Sequence, residues 1–183
     1  MELAKPQLVI LDRDGVINED SDDYIKSVDE WQPIAGSIEA LKKLKQNEIK
    51  VAIATNQSGI ARGLFDLFDL HQMHQKLYQL LAEDADAICH IACCPHAPDD
   101  QCDCRKPGIG MLQEISQKLN IALTPEVYFV GDSFKDVQAA LRANCTPVLV
   151  KTGKGLKTLA QHQHELAKIM VFDSLQQFVE SIV

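Results

Sequence analysis

The sequence predicts an α/β protein in which a parallel sheet is covered by helices on both faces. Two observations carry this. Short, continuously apolar runs of strand length alternate with helical stripes along the 183 residues, and strands buried on both faces read as continuous runs rather than alternating ones. Several runs also end in Asp, Thr or Gly, and ligands of open parallel sheets collect beyond the carboxyl ends of the strands.

Leu8-Val-Ile-Leu11 is too short for a helix, is bounded by Asp12, and reads as the first buried strand. From Ser37, a candidate N-cap, Ile38, Leu41 and Leu44 recur at helical spacing with lysines between them. Val51-Ala-Ile-Ala54 is a second strand ending at Thr55, and Leu70, Met73, Leu77, Leu80 and Leu81 form the next helical stripe. Ala87 to Ala92 reads as a third strand. Cys93 to Gly110, with Pro95, Pro98 and Pro107, reads as a long loop, and a long ordered loop needs a reason. Met111, Leu112, Ile115 and Leu119 resume a helix. Val127-Tyr-Phe-Val130 is a strand ending at Gly131-Asp132, and Val137 to Ala143 is a helix. Pro147 to Val150 and Lys168 to Phe172 are the remaining strands, with one helix between them and a last helix after Ser174. No linker interrupts the pattern, so residues 1–183 are expected to form one domain.

Composition narrows the function. Hydrophobic residues make up 46% and charged residues 24%, which is globular. Eighteen basic against 26 acidic residues give a formal charge of −8, which argues against a role in gripping nucleic acid. No apolar run approaches the roughly 20 residues of a membrane helix. Met1 to Gln7 lacks the apolar core of a signal peptide. The expectation is a cytoplasmic chain, monomeric, with neither membrane nor nucleic acid as partner.

The strand ends carry the chemistry. The first gives Asp12-Arg13-Asp14-Gly15, the second Thr55-Asn56-Gln57-Ser58, the segment before the third helix Arg105-Lys106-Pro107, and the fourth strand Gly131-Asp132-Ser133-Phe134-Lys135-Asp136. In a parallel sheet these ends share one edge. Two carboxylates as close as Asp12 and Asp14 both stay ionised only beside a cation, and hard carboxylate oxygens without sulfur or imidazole favour Mg²⁺, with Asp132 able to complete the cage. Lys106 would neutralise phosphate oxygens, and the Thr55 hydroxyl would donate to them. A carboxylate nucleophile with a second carboxyl group passing the proton splits phosphoryl transfer into two easier steps.

Asp12-x-Asp14-Gly15, Thr55-Asn56, Lys106-Pro107 and Gly131-Asp132-Ser133-x-x-Asp136 resemble the four motifs of the haloacid dehalogenase (HAD) superfamily of phosphatases. The resemblance implies a three-layer HAD-like fold with Asp12 as nucleophile. Asp14 would be the general acid/base, with its backbone carbonyl also on Mg²⁺. Thr55 and Lys106 would steady the phosphoryl group, Asp132 would be the other carboxylate ligand, and Asp136 a partner for Lys106. No insertion between Asn18 and Thr55, or between Ser58 and Lys106, is large enough for a cap domain, so specificity falls to short loops.

Of six cysteines, Cys93, Cys94, Cys102 and Cys104 crowd into one stretch. Without an export signal such crowding suggests a metal rather than disulfides. Cys94, His96, Cys102 and Cys104 offer three thiols and an imidazole, which suit tetrahedral, structural Zn²⁺ and would order the loop at about 93–106. Arg105 and Lys106 follow the last ligand, so the metal would fix two cations over the phosphate pocket. Cys89 and Cys145 read as core residues, and His71, His74, His90, His162 and His164 as surface or core.

With this loop, the chain resembles the D-glycero-D-manno-heptose-1,7-bisphosphate 7-phosphatases over most of its length. That implies a small phosphorylated sugar as substrate, in the synthesis of nucleotide-activated heptose for lipopolysaccharide. Arg105, Asn56, Gln57 and Ser58 would line the sugar phosphate pocket, and the segment containing Asp20 and Asp23 would touch sugar hydroxyls. Here Asp20 to Asp23 is more acidic than the His-Gly form of some relatives, and Ser133 stands where some carry Lys. Histidinol-phosphate phosphatase and a non-catalytic zinc-dependent binding module are the alternatives.

Overall fold

The computed structural model describes residues 5–183; of the Met1 to Gln7 stretch, the first four residues lie outside the described ones. Six strands form one parallel sheet: β1 (Leu8–Leu11), β2 (Lys50–Asn56), β3 (Ile88–Cys94), β4 (Val127–Gly131), β5 (Thr146–Val150) and β6 (Met170–Phe172). Their order is β3-β2-β1-β4-β5-β6. The helices are α1 (Ser37–Gln46), α2 (Leu67–Leu81), α3 (Gly110–Leu119), α4 (Phe134–Arg142), α5 (Gly155–Gln161) and α6 (Leu175–Ile182).

All four β1 residues are fully buried because both faces of the sheet are covered. The period of two divides the core. Val9, Leu11, Val51, Ile53, Tyr128 and Val130 face α1, α2 and α6, whereas Leu8, Ile10, Ala52, Ala54 and Phe129 face α3 and α4. Burying each large aliphatic side chain contributes about 1.5–3 kcal/mol, so a charge anywhere in β1 would be expelled.

The expected element order holds, with differences at boundaries and in burial. Cys93 and Cys94 belong to β3 rather than to the loop, because β2 runs on to Asn56 and supplies ladder partners, Thr55 opposite Cys93 and Asn56 opposite Cys94. Helix α4 starts at Phe134, three residues before Val137: the Asp136 carboxylate accepts from the Ser133 N–H (3.0 Å) and hydroxyl (2.6 Å) and closes the first turn. Cys145 is buried as expected, but Cys89 is exposed, since it lies on the edge strand with its side chain turned to solvent.

Successive crossovers carry the chain from β1 outward to β2 and β3, then back across to β4, β5 and β6. The direction therefore reverses between β1 and β4, and the strand ends part there into a crevice. The turns after these two strands bear Asp12 and Asp132.

Candidate active site

The Asp12 N–H donates to the Val130 carbonyl (2.9 Å), extending the β1–β4 ladder by one residue. The chain then coils tightly: the Arg13 carbonyl accepts from the N–H groups of Val16, Ile17 and Asn18. Gly15 takes φ +81°, and a Cβ there would run into the Asp132 carboxylate, so both the turn and its neighbour require glycine.

Lys106 is 2% exposed and bridges two carboxylates, Asp12 Oδ1 at 2.8 Å and Asp136 Oδ1 at 2.7 Å, with the Phe129 ring 5.5 Å from its Nζ. Its backbone is held by Asn56, whose Oδ1 accepts the Lys106 N–H (3.0 Å) and whose Nδ2 donates to the Lys106 carbonyl (3.3 Å). Asp132 is pinned by the Lys154 N–H on Oδ2 (2.7 Å) and the Thr158 hydroxyl on its carbonyl (2.9 Å). Carboxylate oxygens of Asp12, Asp132 and Asp136 lie within 4.8 Å of one another.

The Asp14 carboxylate stands outside that group. It is gripped by Arg13, Asn18 and Gln57, and Gln57 also donates to the Thr55 hydroxyl oxygen (2.8 Å). Burial and the charges of Asp136 and Asp14 outweigh the pull of Lys106 and push the Asp12 carboxyl up to about 7. Burial, with the charges of Asp136 and Asp12, pushes Asp132 up to about 8. Burial acts on Asp14 in the same direction, but the Arg13 guanidinium and the hydrogen bonds from Asn18, Arg13 and Gln57 together hold it below the usual carboxylate value. Burial disfavours the charged form of Lys106, yet its two carboxylate partners raise it overall. One ammonium between the buried acids leaves them short of positive charge, and hard oxygen donors so arranged fit a divalent cation such as Mg²⁺.

Cys94 at the end of β3 converges with His96, Cys102 and Cys104 beyond it. The Cys94 Sγ lies 3.6 Å from Cys102 Sγ and 3.2 Å from Cys104 Sγ, and His96 Nδ1 lies 3.7 Å and 3.2 Å from the sulfurs of Cys94 and Cys104. A tetrahedron with Zn–S of about 2.3 Å has sulfur–sulfur edges of about 3.8 Å, so the four donors stand close to the geometry of a closed metal site. The Arg105 guanidinium donates to the His96 carbonyl (3.2 Å), tying the basic pair to this cluster.

A pocket of about 440 Å³ opens over the carboxylates. Asn56, Gln57, Ser58, Arg105 and Lys106 border it on one side and Asp20 on another, whereas Asp23 is not among its lining residues. Asp20 is paired with Lys154 (2.9 Å), with Asp22 at 3.7 Å from the same ammonium.

Known proteins resemble this chain in sequence and in fold. Residues 7–164 fit the family model described as polynucleotide kinase 3 phosphatase. A D-glycero-beta-D-manno-heptose-1,7-bisphosphate 7-phosphatase of Pseudomonas aeruginosa is 52% identical over 168 residues, covering 92% of this chain and 93% of the relative. The enzyme of that name from Neisseria meningitidis is 48% identical, covering 97% and 95%. The crystal structure of a D,D-heptose 1,7-bisphosphate phosphatase from Bordetella bronchiseptica, complexed with magnesium and phosphate, superposes with a TM-score of 0.90 at 46% identity, covering 96% and 97%.

The chain belongs to the heptose-1,7-bisphosphate 7-phosphatase family.

It is accordingly a HAD-type phosphoric monoester hydrolase. As in the sequence reading, this family member brings Asp12, Thr55, Lys106 and Asp132 to one edge of the sheet. Sequence reasoning missed three features. Arg13 and Asn18 hold Asp14; an arginine set between two aspartates in a tight turn was the available signal. Lys154 arrives from the β5–α5 loop and neutralises the acidic segment, which no local pattern foretells. His162 stacks on Phe134 (centroids 3.9 Å apart, planes at 8°), and both rings line the pocket. No helix among the described residues is long and apolar enough to cross a membrane.

Proposed function

We propose that this chain is a Mg²⁺-dependent phosphatase that removes the 7-phosphate of D-glycero-D-manno-heptose 1,7-bisphosphate through an aspartyl-phosphate on Asp12. The observation that carries the reading is the placement of Asp12. Its carboxylate sits at the sheet's switch point, against Lys106 at 2.8 Å and within 4.8 Å of Asp132, on the floor of a pocket large enough for a sugar bisphosphate. The names of the relatives supply the substrate.

In the first step an Asp12 oxygen attacks phosphorus as the bond to the sugar oxygen breaks, and Asp14, which must enter this step protonated against the donors that favour its carboxylate in the free site, gives that oxygen a proton. In the second step a water attacks the phosphorus of the aspartyl-phosphate, Asp14 takes its proton, and inorganic phosphate leaves with Asp12 restored. Lys106, with Thr55 beside it, balances charge on the transferring group. Asp12, the Asp14 carbonyl and Asp132 would hold Mg²⁺, which when bound draws charge from the phosphoryl oxygens. Cys94, His96, Cys102 and Cys104 would hold Zn²⁺, which keeps Arg105 and Lys106 at the pocket. Arg105, Ser58 and Asp20 would meet the sugar phosphate, whereas Asn56 and Gln57 serve Lys106 and Asp14 more directly. We assign the monomeric chain, as one domain, to the cytoplasm on the route to nucleotide-activated heptose and lipopolysaccharide; six cysteines outside any disulfide suit that reducing compartment. Lys154 weighs against histidinol phosphate, because it takes the carboxylates that an imidazole would need.

The test is phosphate release from heptose 1,7-bisphosphate and from histidinol phosphate, with Asp12→Asn as control. Faster turnover of histidinol phosphate, or undiminished turnover by the variant, would overturn the reading.

A further inference from the structure

Arg13 is a wholly buried cation whose only anionic side-chain partner in hydrogen-bond reach among the described residues is Asp14. Its fork donates from Nε (3.1 Å) and Nη2 (2.9 Å) to Oδ1 and from Nη2 to Oδ2 (3.0 Å), while Nη1 rests against the Met73 sulfur (3.8 Å). Asn18 Nδ2 adds a third donor to Oδ1 (2.8 Å), and Gln57 Nε2 adds one to Oδ2 (2.8 Å). The two oxygens are therefore unequal. Oδ1 takes three donors from groups locked in the turn, which exceeds its lone pairs. Oδ2 takes two, and one of these, Gln57, already has an alternative partner in the Thr55 hydroxyl oxygen at 2.8 Å.

We infer that Arg13 is a positioning residue that locks Oδ1 of Asp14 into the turn and leaves Oδ2, released by Gln57, as the oxygen that exchanges the proton with the leaving alcohol and then with water. The inference rests on Asp14 being the acid/base group. A buried guanidinium suits the task because its planar fork fixes both position and rotation of a carboxylate, whereas an ammonium fixes neither. Rotation matters: an oxygen turned from the leaving group loses the proton transfer even though the carboxylate stays in place.

The experiment compares Arg13→Lys, Arg13→Met and Asp14→Asn with the unaltered enzyme on two phosphate esters, one with an aliphatic alcohol leaving group (heptose 1,7-bisphosphate) and one with an acidic phenol (p-nitrophenyl phosphate). An acidic phenol departs without a proton, so only the water step then needs Asp14. Both Arg13 variants are expected to lose about 100-fold or more in kcat on the sugar ester. On the aryl ester, phosphoenzyme formation in a rapid-quench burst should stay within about threefold of the unaltered enzyme, and labelled phosphoenzyme should accumulate because its hydrolysis is slowed. Arg13→Lys keeps the buried charge, so it remains informative if Arg13→Met does not fold. Equal losses in the rate of phosphoenzyme formation on both esters, or no loss with Arg13→Lys, would overturn the inference. If Asp14→Asn slows phosphoenzyme formation equally from both esters, it is the acid/base reading that fails; if Asp14→Asn discriminates between them at that step and Arg13→Lys does not, only the clamp fails.

Discussion

Replacing Lys106 with methionine tests the electrostatic core of the site. The substitution keeps most of the buried stem, including its packing beside Phe129, and removes the ammonium shared by Asp12 and Asp136 at 2.8 and 2.7 Å. Lys106 and Asp136 are almost wholly buried, so solvent cannot replace the lost partner. Breaking a buried pair by removing one member costs about 3–5 kcal/mol, much of it from the charge left behind. At 2–4 °C per kcal/mol for a chain of this size, the melting temperature should fall by about 6 to about 20 °C at pH 8. The deficit should depend on pH in a definite direction. The Asp12 carboxyl already titrates at about 7 in the fold against an ordinary 3.8, with Lys106 pulling it down. Removing Lys106 raises it further. A folded pKa above the unfolded one favours the protonated fold, so stability is full below about 4 and drains away as pH rises through the folded value. The variant should thus lie closest to the unaltered protein near pH 5 and fall furthest behind at pH 8. Differential scanning calorimetry without added Mg²⁺, from pH 5 to 8, measures this. A variant that melts like the unaltered protein at pH 8, or whose deficit grows on acidification, would refute the reasoning.

Mg²⁺ added to the metal-free protein should raise the melting temperature more at pH 8 than at pH 5, because Asp12 (about 7) and Asp132 (about 8) hold protons at the lower pH that the cation must displace; a pH-independent rise would count against those carboxylates as its ligands. Cys104→Ser, or zinc chelation with Mg²⁺ restored, should speed amide hydrogen exchange across residues 95–109 and lower turnover at least tenfold through Arg105 and Lys106; full turnover in zinc-free protein would uncouple the loop from the pocket. Gly15→Ala should destabilise by more than the roughly 1 kcal/mol of an ordinary helix-interior glycine exchange, because its Cβ meets Asp132 and φ is +81°. It should also weaken Mg²⁺ binding at least tenfold by calorimetric titration. Unaltered Mg²⁺ affinity would show that the turn does not set the position of Asp132.

The fold was legible because its causes are local. A run such as Leu8–Leu11 bounded by Asp12 can bury both faces only as a central strand, and leucines at helical spacing can bury one face only as a helix. The motif residues were legible for a related reason: parallel strands deliver their carboxyl ends to one edge, so Asp12, Thr55 and Asp132 converge whatever fills the segments between. The four members of the Cys/His cluster were readable from residue type alone. Their placement was not, since the continuation of β3 to Cys94 depends on how far β2 extends beside it.

What the sequence by itself determined is which acidic, basic and hydroxyl side chains stand at the strand ends. Only the tertiary structure decided how they pair: that Lys106 lies between Asp12 and Asp136, that Arg13 and Gln57 take Asp14, and that Lys154 takes Asp20. The reason is that strand and helix periods are set by neighbours a few residues away. An ion pair is set by which charges the fold brings together, 94 residues apart for Asp12 and Lys106 and 134 for Asp20 and Lys154, and no local pattern encodes that distance.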